Sequence, residues 1–420
     1  MRYLFVHQNF PGQYLHLLRH LVRSRENEVV FIAEDNTNLI PGVRKVTYKP
    51  LPPASTTTYR DAADFEAATV RAAVVAGLAG NLKALGFKPD IIIGHHGWGE
   101  LLNMVDVWPD IPILGYYEFY YSSTGLDVGF DPEFPANPDG FSRIRAKNAV
   151  TLLALTNPGW GQTPTRFQRA TYPRWAQPRI TLLPEGVDLQ TCMPDPGARQ
   201  RLYELNGFRV LPGETLVTYV ARDLEPYRGF HVLMRALPRI LALRPNLKVI
   251  MVGGDSASYG ARLANTTWRQ HMLNEVGRLI DPARVHFPGK IDYRAFVGLI
   301  QRSDVHVYLT YPFVASWSLR EALACGCALV ASDTEPVHEF VQDGETGLLT
   351  PCLDPVRLAE RVQEVLDEPE AAAERRVKAR AFAERHLRLE DTIRNYEALI
   401  AKLTGASLAP ADSLIAETTG

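Results

Sequence analysis

The sequence predicts an α/β protein made of two Rossmann-like domains, each a doubly wound parallel sheet, that face each other across a cleft. Short apolar runs of strand length alternate with helical patterns along most of the 420 residues, which is typical of parallel sheets. This alternation occurs twice, on either side of a proline-rich stretch at 184–213 that is typical of a domain boundary. A chain of this length also exceeds what one hydrophobic core usually holds.

The composition excludes several classes of protein. Apolar content of 46% and charged content of 22% are ordinary for a globular protein. The net charge of -2 argues against a nucleic-acid partner, which would require a strong basic excess. No apolar run is long enough to span a membrane, and the first residues read as a strand rather than a signal peptide. The four scattered cysteines lack the spacing of a zinc site. We therefore expect a cytoplasmic protein with reduced thiols and no metal.

The first domain is expected over residues 1–190. Its predicted strands are 3–7, 28–33, 45–48, 90–94, 111–116, 151–156 and 179–183, with helices over 13–24 and 60–85. Gly12 lies in the turn after the first strand. The segment 122–137 contains Gly, Asp and Pro, has little periodicity and carries the aromatic residues Phe130 and Phe134, so we expect a functional loop there.

The second domain is expected over residues 214–385, after a linker at 191–213. Its predicted strands are 215–220, 248–252, 285–287, 305–309 and 328–331, with helices over 230–243, 268–280 and 293–302. The helix expected at 386–403 should pack back toward the first domain. The small and polar tail at 404–420 is expected to be disordered.

The stretch 304–326 predicts an anion site. An apolar strand is followed by a loop and then by a helix whose first turns carry Ser318 and Glu321. The loop follows the carboxyl end of a strand, where open α/β sheets bind ligands. The helix N-terminus offers unpaired amides and a positive dipole end. Because Glu321 has no apolar role in that helix, the stretch predicts half of a site for a phosphate-bearing ligand.

Two arginines supply the other half of this predicted site. Arg222 and Arg228 flank a proline-containing loop after the first strand of the second domain. A guanidinium group is a planar fork that suits phosphate oxygens, so the pair would clamp a diphosphate together with the helix near Ser318. The alternative is that both are surface arginines paired with Asp223 and Glu225.

Glycine-containing turns follow two neighbouring strands of the same domain. Gly253 and Gly254 allow a close approach of the backbone. The turn of Gly289, Lys290 and Ile291 offers a backbone that can face a flat base. Each turn is a weak signal by itself.

Taken in order, these motifs resemble those of the family 4 glycosyltransferases with the GT-B fold. The set comprises Arg222 with Arg228, Val-Gly-Gly-Asp at 252–255, Pro-Gly-Lys at 288–290, Ser-Leu-Arg-Glu-Ala-Leu-Ala-Cys-Gly at 318–326 and Asp-Gly-Glu-Thr-Gly-Leu-Leu at 343–349. The first domain agrees through Gly12 and through Leu-Pro-Glu-Gly-Val-Asp at 183–188. The resemblance covers nearly the whole chain and is densest from 215 to 350. It implies a retaining transfer of a sugar from a nucleotide diphosphate donor, without a metal or other cofactor.

The resemblance also implies roles for the residues already named. Arg222 and Arg228 would neutralise the leaving diphosphate, and Glu321 would hold the ribose hydroxyls. The amides of Ser318 and Leu319 would meet phosphate oxygens. The base would be lined by Gly289, Lys290 and Ile291. Further donor contacts are expected from Gly12, Gly253, Gly254, Phe313 and Ser316.

The sequence departs from the family at two places. The family carries a glutamate where this chain has Phe313, whose side chain cannot accept hydrogen bonds from sugar hydroxyls. Many members place a histidine in the first domain where this chain reads Tyr-Tyr-Glu at 116–118. His95, His96 or Glu118 is then the candidate for the polar group that meets the donor sugar or the acceptor. The alternatives are a structural histidine pair and a stabilising aromatic cluster around Glu118.

The expected partners are a nucleotide sugar and a glycan or lipid-linked acceptor. Basic and aromatic residues in two first-domain segments suit peripheral contact with an anionic membrane, or else a solvated face. These residues are His16, Arg19, His20, Arg23, Arg166, Phe167, Arg169, Tyr172, Arg174, Trp175 and Arg179. The expected function is hexosyl transfer in the assembly of surface polysaccharides or glycoconjugates. Transfer to a soluble acceptor is a second enzymatic hypothesis. A nucleotide-sugar-binding protein with lost or altered turnover, suggested by Phe313, is the alternative from another class.

Overall fold

The first domain is a parallel sheet whose strands alternate with helices. The computed structural model describes residues 1–49, 51 and 55–406. The first-domain strands are β1 (Arg2–Val6), β2 (Glu28–Glu34), β3 (Val43–Tyr48), β4 (Ile91–His95), β5 (Ile113–Tyr116), β6 (Trp160–Thr163) and β7 (Ile180–Leu182). The helices are α1 (Leu15–Leu21), α2 (Ala63–Ala84), α3 (Met104–Val107), α4 (Phe141–Lys147), α5 (Ala149–Thr156) and α6 (Arg166–Thr171). The strand order is β3-β2-β1-β4-β5-β6-β7.

The second domain repeats this plan after an antiparallel hairpin of β8 (Tyr203–Leu205) and β9 (Phe208–Val210). Its strands are β10 (Thr215–Asp223), β11 (Leu247–Gly254), β12 (Val285–Gly289), β13 (Val305–Tyr308), β14 (Leu329–Ser332) and β15 (Leu348–Thr350). The helices are α7 (Phe230–Leu243), α8 (Trp268–Val276), α9 (Tyr293–Arg302), α10 (Trp317–Ala324), α11 (Glu335–His338), α12 (Pro355–Asp367), α13 (Pro369–His386) and α14 (Leu389–Thr404). The strand order is β12-β11-β10-β13-β14-β15.

In both sheets the strand order changes direction at the first strand of the domain, β1 or β10. β1 pairs in parallel with β2 on one side and β4 on the other, and β10 does the same with β11 and β13. Helices cover both faces, so the central strands are continuous apolar runs, such as Ile91, Ile92 and Ile93, which are fully buried. Ligands of such sheets bind at the carboxyl ends of the strands beside the reversal. The predicted fold class is confirmed.

Two short segments differ from the sequence-based expectation. The run 151–156, predicted as a strand, is the end of helix α5, because a short apolar run has no period that separates a buried strand from a buried helix. The strand is β6, which reads Trp-Gly-Gln-Thr and contains no apolar run. β15 was not predicted as a strand, and it begins at the end of the 343–349 motif.

The predicted linker at 191–213 contains the β8–β9 hairpin. Leu205 and Val210 of the hairpin pack against Leu216, Ile250 and Leu299 of the second domain. The hairpin therefore adds to the core of that domain.

The chain crosses between the domains twice, and the two crossing segments pair. The Val187 amide donates to the Leu387 carbonyl (2.8 Å), and the Leu389 amide donates to the Val187 carbonyl (3.2 Å). Gly186 is needed here, since a Cβ on it would lie 2.6 Å from the Leu389 Cα.

Helix α14 follows the second crossing and packs on the first domain. Tyr396, Leu399 and Ile400 join the core around Leu17 of α1, and His20 lies 2.7 Å from the Glu397 carboxylate. Of the tail predicted as disordered, 407–420 lies outside the described residues. No helix in the described part of the chain is long and apolar enough to cross a membrane.

Candidate active site

The first-domain side of the cleft is a cluster of aromatic and imidazole rings at the ends of β1 and β4. His95 ends β4, and its ring stacks on Trp98 with centroids 4.3 Å apart. His7 follows β1 and meets both rings edge-on, at 5.3 Å from His95 and 5.4 Å from Trp98. The positive φ of Gly12 (+55°) brings its backbone against His7, and a Cβ there would lie 3.1 Å from the ring. These residues flank the strand-order reversal of the first sheet.

The tautomer of His95 follows from its backbone contact. The Gly97 amide donates to Nδ1 of His95 (2.7 Å), so in the neutral ring the hydrogen is on Nε2. That nitrogen lies 3.5 Å from Oε2 of Glu118. His95 is thus oriented with its N–H toward the Glu118 carboxylate.

The Glu118 carboxylate of the first domain is influenced by charged groups of both domains. Its side chain is 37% exposed, while Gln168 fixes its backbone by donating to the Glu118 carbonyl (2.8 Å). Burial alone would raise the pKa of Glu118, but the hydrogen bond and charge of His95 and the charges of Arg222 and Arg228 outweigh burial and hold the pKa below its ordinary value. The carboxylate is therefore ionised at neutral pH and lies within reach of the field of the second-domain arginines.

The structure does not bring His96 into this cluster. Its ring packs against Tyr117 at 4.8 Å and fills the space beside Gly115, where a Cβ would lie 2.1 Å away. Burial lowers the pKa of His96 to about 3, so the ring is neutral. His96 is a core side chain between β4 and β5.

On the second-domain side, Arg228 is buried and firmly held. It is 6% exposed, and one guanidinium nitrogen donates to Thr310 Oγ1 (2.8 Å) and to the Val314 carbonyl (2.8 Å). The ring of Tyr259 covers the guanidinium group at 5.0 Å. Arg228 is therefore oriented by the loop after β13 before any ligand arrives.

Arg222 differs from Arg228 because its side chain is exposed at the end of β10. The acidic residues that the surface interpretation pairs with the arginines have other partners. Asp223 lies 3.5 Å from Nζ of Lys290, and Glu225 accepts from the amides of 258–260. No ion pair of Arg222 is found within the described ranges, so it remains free to meet an anion.

Glu225 anchors the loop that covers Arg228. Its carboxylate is fully buried and accepts from the backbone amides of Ser258 (3.1 Å), Tyr259 (3.2 Å) and Gly260 (2.9 Å). Burial is the largest influence and raises the pKa of Glu225, against the opposing effect of these hydrogen bonds. This contact places the Tyr259 ring over the guanidinium group.

Phe313 lies in an aromatic cluster between the domains. It is 4% exposed and packs on Phe119 of the first domain at 4.6 Å. Tyr259 lies 4.9 Å away and Tyr227 5.9 Å away on the second-domain side. Phe167 of the first domain belongs to the same cluster. Where the family has a carboxylate, this chain has an apolar interdomain contact.

The start of helix α10 offers hydroxyl groups and amides. Ser316 precedes the helix, and its hydroxyl lies 2.7 Å from that of Ser318 rather than bonding to a first-turn amide. The Ser316 amide is fixed by the Tyr308 hydroxyl (2.8 Å). Leu319 is fully buried, so only its backbone can take part in binding. In the part of the chain that the structure describes, no side chain caps this helix, which leaves its dipole end for an anion.

A small pocket of about 40 Å³ opens in the cleft beside this helix. Glu321 and Tyr293 line it from the second domain, and Gln13 and His16 line it from the first. Burial raises the pKa of Glu321, although the Tyr293 hydroxyl and the Arg320 charge oppose the shift. The pocket therefore has a carboxylate on its second-domain wall.

The inner wall of this pocket is held by Glu185. Its carboxylate accepts from Trp317 Nε1 (2.8 Å) and from the Tyr116 hydroxyl (3.1 Å). Arg320 lies 3.4 Å from the same carboxylate. The first crossing segment, which contains Glu185, is thereby tied to both domains at the base of the cleft.

The predicted glycine turns lie at the carboxyl ends of β11 and β12. A Cβ on Gly253 would meet Leu224 at 2.7 Å, and one on Gly254 would meet Asp223 at 2.4 Å. These glycines allow the two turns to pack closely. Gly289 has a positive φ (+75°) with open space around it, and the neighbouring Lys290 is exposed. Ile291 is partly buried against the second-domain core, so its side chain packs inward.

Part of the membrane-contact prediction is wrong. Phe167 and Tyr172 are buried and cannot rest on a membrane surface, because they pack in the interdomain cluster and beside Tyr117. Arg179 donates to the Asn157 and Gly159 carbonyls (2.9 and 2.8 Å). Trp175, at 59% exposure, is the aromatic residue of this segment that does face outward.

A cluster of possible metal ligands brings Asp131, Glu133 and His231 within 4.8 Å of one another. These groups already form hydrogen bonds and ion pairs with one another and with their neighbours. His231 Nε2 lies 2.9 Å from Asp131, and Arg235 makes a bidentate contact with Glu133 (2.6 and 2.9 Å). The cluster is an interdomain hydrogen-bond network.

Several residues of the site were not predicted from the sequence. His7, Trp98 and Tyr259 reach the site only through folding, since each belongs to a different loop. His7 is the last residue of the predicted strand 3–7, at the same sheet edge as His95, which is a usable signal. Tyr259 and its anchor Glu225 are separated along the chain and gave none.

Comparison with known sequences places both halves of the chain among glycosyltransferases. Residues 25–192 match the family described as "Glycosyl transferase family 4 group", and residues 207–383 match "Glycosyl transferases group 1". The chain is 29% identical over 177 residues to the phosphatidyl-myo-inositol mannosyltransferase of Mycobacterium tuberculosis, covering 41% of this chain and 40% of that protein. It is 32% identical over 178 residues to the glycogen synthase of the same organism, covering 41% and 38%. The chain thus spans about two fifths of these relatives.

Solved structures with the same two-domain arrangement cover nearly the whole chain. Sucrose-phosphate synthase from Thermosynechococcus elongatus superimposes with a TM-score of 0.71 at 20% identity, over 97% of this chain and 100% of that chain. Anabaena HepE in complex with UDP-glucose superimposes with a TM-score of 0.69 at 16% identity, over 96% and 100%. At these identities the similarity establishes the fold.

Proposed function

The chain belongs to the family 4 glycosyltransferases with the GT-B fold, and from that premise we propose that it transfers a sugar from a nucleotide diphosphate donor to an acceptor hydroxyl. The observation that carries this proposal is the convergence at the cleft. Glu118 from the first domain lies 3.5 Å from His95, and the charges of Arg222 and Arg228 from the second domain help to lower its pKa. An anionic leaving group and a developing positive charge on a sugar need charges of these opposite signs.

In the proposed reaction, the bond between the anomeric carbon and the diphosphate oxygen breaks. Arg222 and Arg228 neutralise the departing diphosphate, which is the charge that the transition state must have stabilised. The acceptor oxygen bonds to the anomeric carbon on the face that the diphosphate leaves, so the configuration is retained. The acceptor proton passes to an oxygen of the departing diphosphate. No metal is assigned to this step, since two guanidinium groups supply the positive charge.

Glu118 is proposed to face the sugar in this reaction. Its ionised carboxylate would stabilise positive charge on the anomeric carbon, and His95 would keep the carboxylate oriented. The proposal is hexosyl transfer, with Glu321 holding the ribose and the start of α10 holding phosphate oxygens.

The acceptor is proposed to be a glycan or lipid-linked hydroxyl in surface polysaccharide or glycoconjugate assembly. Support comes from relatives whose names include a phosphatidyl-myo-inositol mannosyltransferase and a glycogen synthase. The exposed Trp175 beside Arg174 is the part of the first domain that suits peripheral membrane contact.

A panel of nucleotide sugars tests the proposal. The protein is incubated with UDP-, GDP- and ADP-sugars, and nucleotide diphosphate release is measured with and without sugar and lipid acceptors. Release that saturates with one donor and is lost in Arg222→Ala supports transfer. Saturable nucleotide binding without release or transfer would contradict it.

The second candidate is a nucleotide-sugar-binding protein without turnover. The specific observation in its favour is the aromatic cluster around Phe313, which fills the place of the family carboxylate. The same panel separates the two candidates, because this one predicts binding alone.

A further inference from the structure

The loop 122–137, called the strap below, connects the first domain to the donor side of the second. Its start is fixed to the first domain, where the Tyr121 amide donates to Asn148 Oδ1 (2.9 Å) and Asn148 Nδ2 donates back to the Tyr121 carbonyl (2.8 Å). Its middle contacts the loop after β13 and helix α7 of the second domain. The sequence marks the strap as a functional loop, and none of the roles assigned above uses it.

Asp131 is the central anchor of the strap. Its carboxylate is buried and accepts from the Tyr311 hydroxyl (2.6 Å) and from Nε2 of His231 (2.9 Å). Burial lowers the pKa of His231, despite the opposing charge of Asp131, so a neutral ring donates this hydrogen. Hydrogen bonds to a buried carboxylate are short and strong, and losing one leaves its donor unpaired.

The partners of Asp131 are Tyr311, in the loop after β13, and His231, in the first turn of helix α7 just after Arg228. Tyr311 is next to Thr310, which accepts from the Arg228 guanidinium group (2.8 Å). The Tyr311 amide donates to the carbonyl of Tyr227, the neighbour of Arg228 (3.0 Å). One carboxylate from the first domain therefore ties together both second-domain loops around the arginine.

Two further contacts dock the strap, and they differ in what they touch. Asp127 accepts from the Tyr227 hydroxyl (2.9 Å), again beside Arg228. Glu133 pairs with Arg235 on the exposed side of helix α7, and among the described residues its carboxylate makes no hydrogen bond to Tyr227, Thr310 or Tyr311. Glu133 is therefore a matched control, since it docks the same strap without contacting the loops that hold the arginine.

We propose that Asp131 is a positioning residue for sugar transfer, which assembles the diphosphate clamp of the second domain from the first. The orientation of Arg228 then depends on a docked strap, so the two domains must be in contact before the leaving group is fully stabilised. This inference rests on the proposed function for its kinetic consequence. Its structural consequence, the ordering of the two loops, does not.

Steady-state kinetics test the kinetic consequence. Tyr311 and His231 both donate to Oδ2 of Asp131, and the Glu133 amide donates to Oδ1 (2.9 Å). Asp131→Asn keeps the shape but removes the negative charge and turns an NH₂ group toward one of these donors, so kcat should fall about 10-fold while KM for the donor changes less than about 2-fold. The kcat of Tyr311→Phe should fall by a similar factor. The kcat of the double variant should be no lower than that of the slower single variant. Glu133→Gln should stay within about 2-fold of the wild type. A wild-type kcat in Asp131→Asn, or an equal loss in Glu133→Gln, would overturn the assignment.

Hydrogen exchange tests the structural consequence independently of turnover. In Asp131→Asn, backbone amides of 227–231 and 310–314 should exchange at least about 10-fold faster, while those of the central strand β10 keep their protection. Unchanged exchange in these loops would overturn the proposal. If the wild type turns over no nucleotide sugar, the proposed function fails while this experiment still decides the role of the strap. If Asp131→Asn does not fold, Tyr311→Phe serves in both experiments.

Discussion

The two ends of the donor cleft are built from opposite kinds of side chains. Around Glu321 the domains leave a small pocket of about 40 Å³ with polar groups on both walls. Around Phe313 the domains meet through packed aromatic rings, and Tyr259 covers the buried Arg228. The nucleotide end is thus polar and partly open, whereas aromatic rings fill the sugar end. At the sugar end, we expect the Tyr259 ring to be displaced when a donor binds.

The largest effect is expected at Arg222, the exposed arginine whose acidic neighbours pair with other groups. Arg222→Ala should lower kcat by about 100- to 1,000-fold, because transition-state charge stabilisation is lost. Its melting temperature should match the wild type, since the side chain holds no buried partner.

Nucleotide diphosphate release and thermal unfolding measure the two parts of this prediction. Arg209→Ala is the matched control, because Arg209 is a similarly exposed arginine on the β8–β9 hairpin. Equal kcat values for Arg222→Ala and this control would show that Arg222 does not contribute to the diphosphate clamp.

The second effect concerns the first-domain carboxylate. Glu118→Gln should lower kcat about 10- to 100-fold with the fold retained, because an amide cannot supply the negative charge. The pKa of Glu118 is held below its ordinary value. The wild-type rate should therefore lose its Glu118 contribution only as the pH falls through that lowered pKa, and this acid limb should vanish in the variant.

A pH–rate profile of both proteins checks this prediction. The same acid limb in Glu118→Gln and the wild type would assign the titration to another group. A wild-type kcat in the variant would contradict the sugar-facing role.

At the open end of the cleft, Glu321→Ala should raise the donor KM about 10-fold and leave kcat within about 3-fold. The carboxylate contacts a part of the donor that does not react, so ground state and transition state lose the same binding energy. Isothermal titration with nucleotide diphosphate measures the loss directly. An unchanged affinity would show that the pocket is not the ribose site.

The smallest effect tests the closed end. Tyr259→Ala should strengthen binding of the nucleotide sugar and of the nucleotide diphosphate about 3-fold, since the ring that covers Arg228, the guanidinium group expected to meet the diphosphate of both ligands, no longer has to move. Titration of both ligands against both proteins measures the change. Unchanged binding of both ligands would show that the ring does not have to move when the diphosphate binds.

Much of the fold was predictable because strands buried on both faces leave continuous apolar runs. β4 and β13 are of this kind, and both were found. β6 was missed because it has a glycine and buried polar residues in place of such a run. Helix α5 was misassigned because its short apolar run carries no period.

The predictability of the candidate site follows the same logic. Arg228, Ser318 and Glu321 each lie in a short motif whose neighbouring residues in the sequence indicate a binding role. Contacts between distant loops, such as Glu225 with Tyr259, have no local pattern. His96 was grouped with His95 because adjacent residues at a strand end look alike in sequence, whereas their side chains point to opposite faces.

The most direct test of the account follows the anomeric proton by NMR while the protein is mixed with a nucleotide sugar and an acceptor. The account predicts that donor signal is replaced by free nucleotide diphosphate and by a glycoside with the same anomeric configuration as the donor. With Arg222→Ala, the same spectra should change at least about 100-fold more slowly. A donor that binds saturably yet is never consumed, or a product of inverted configuration, would contradict the account.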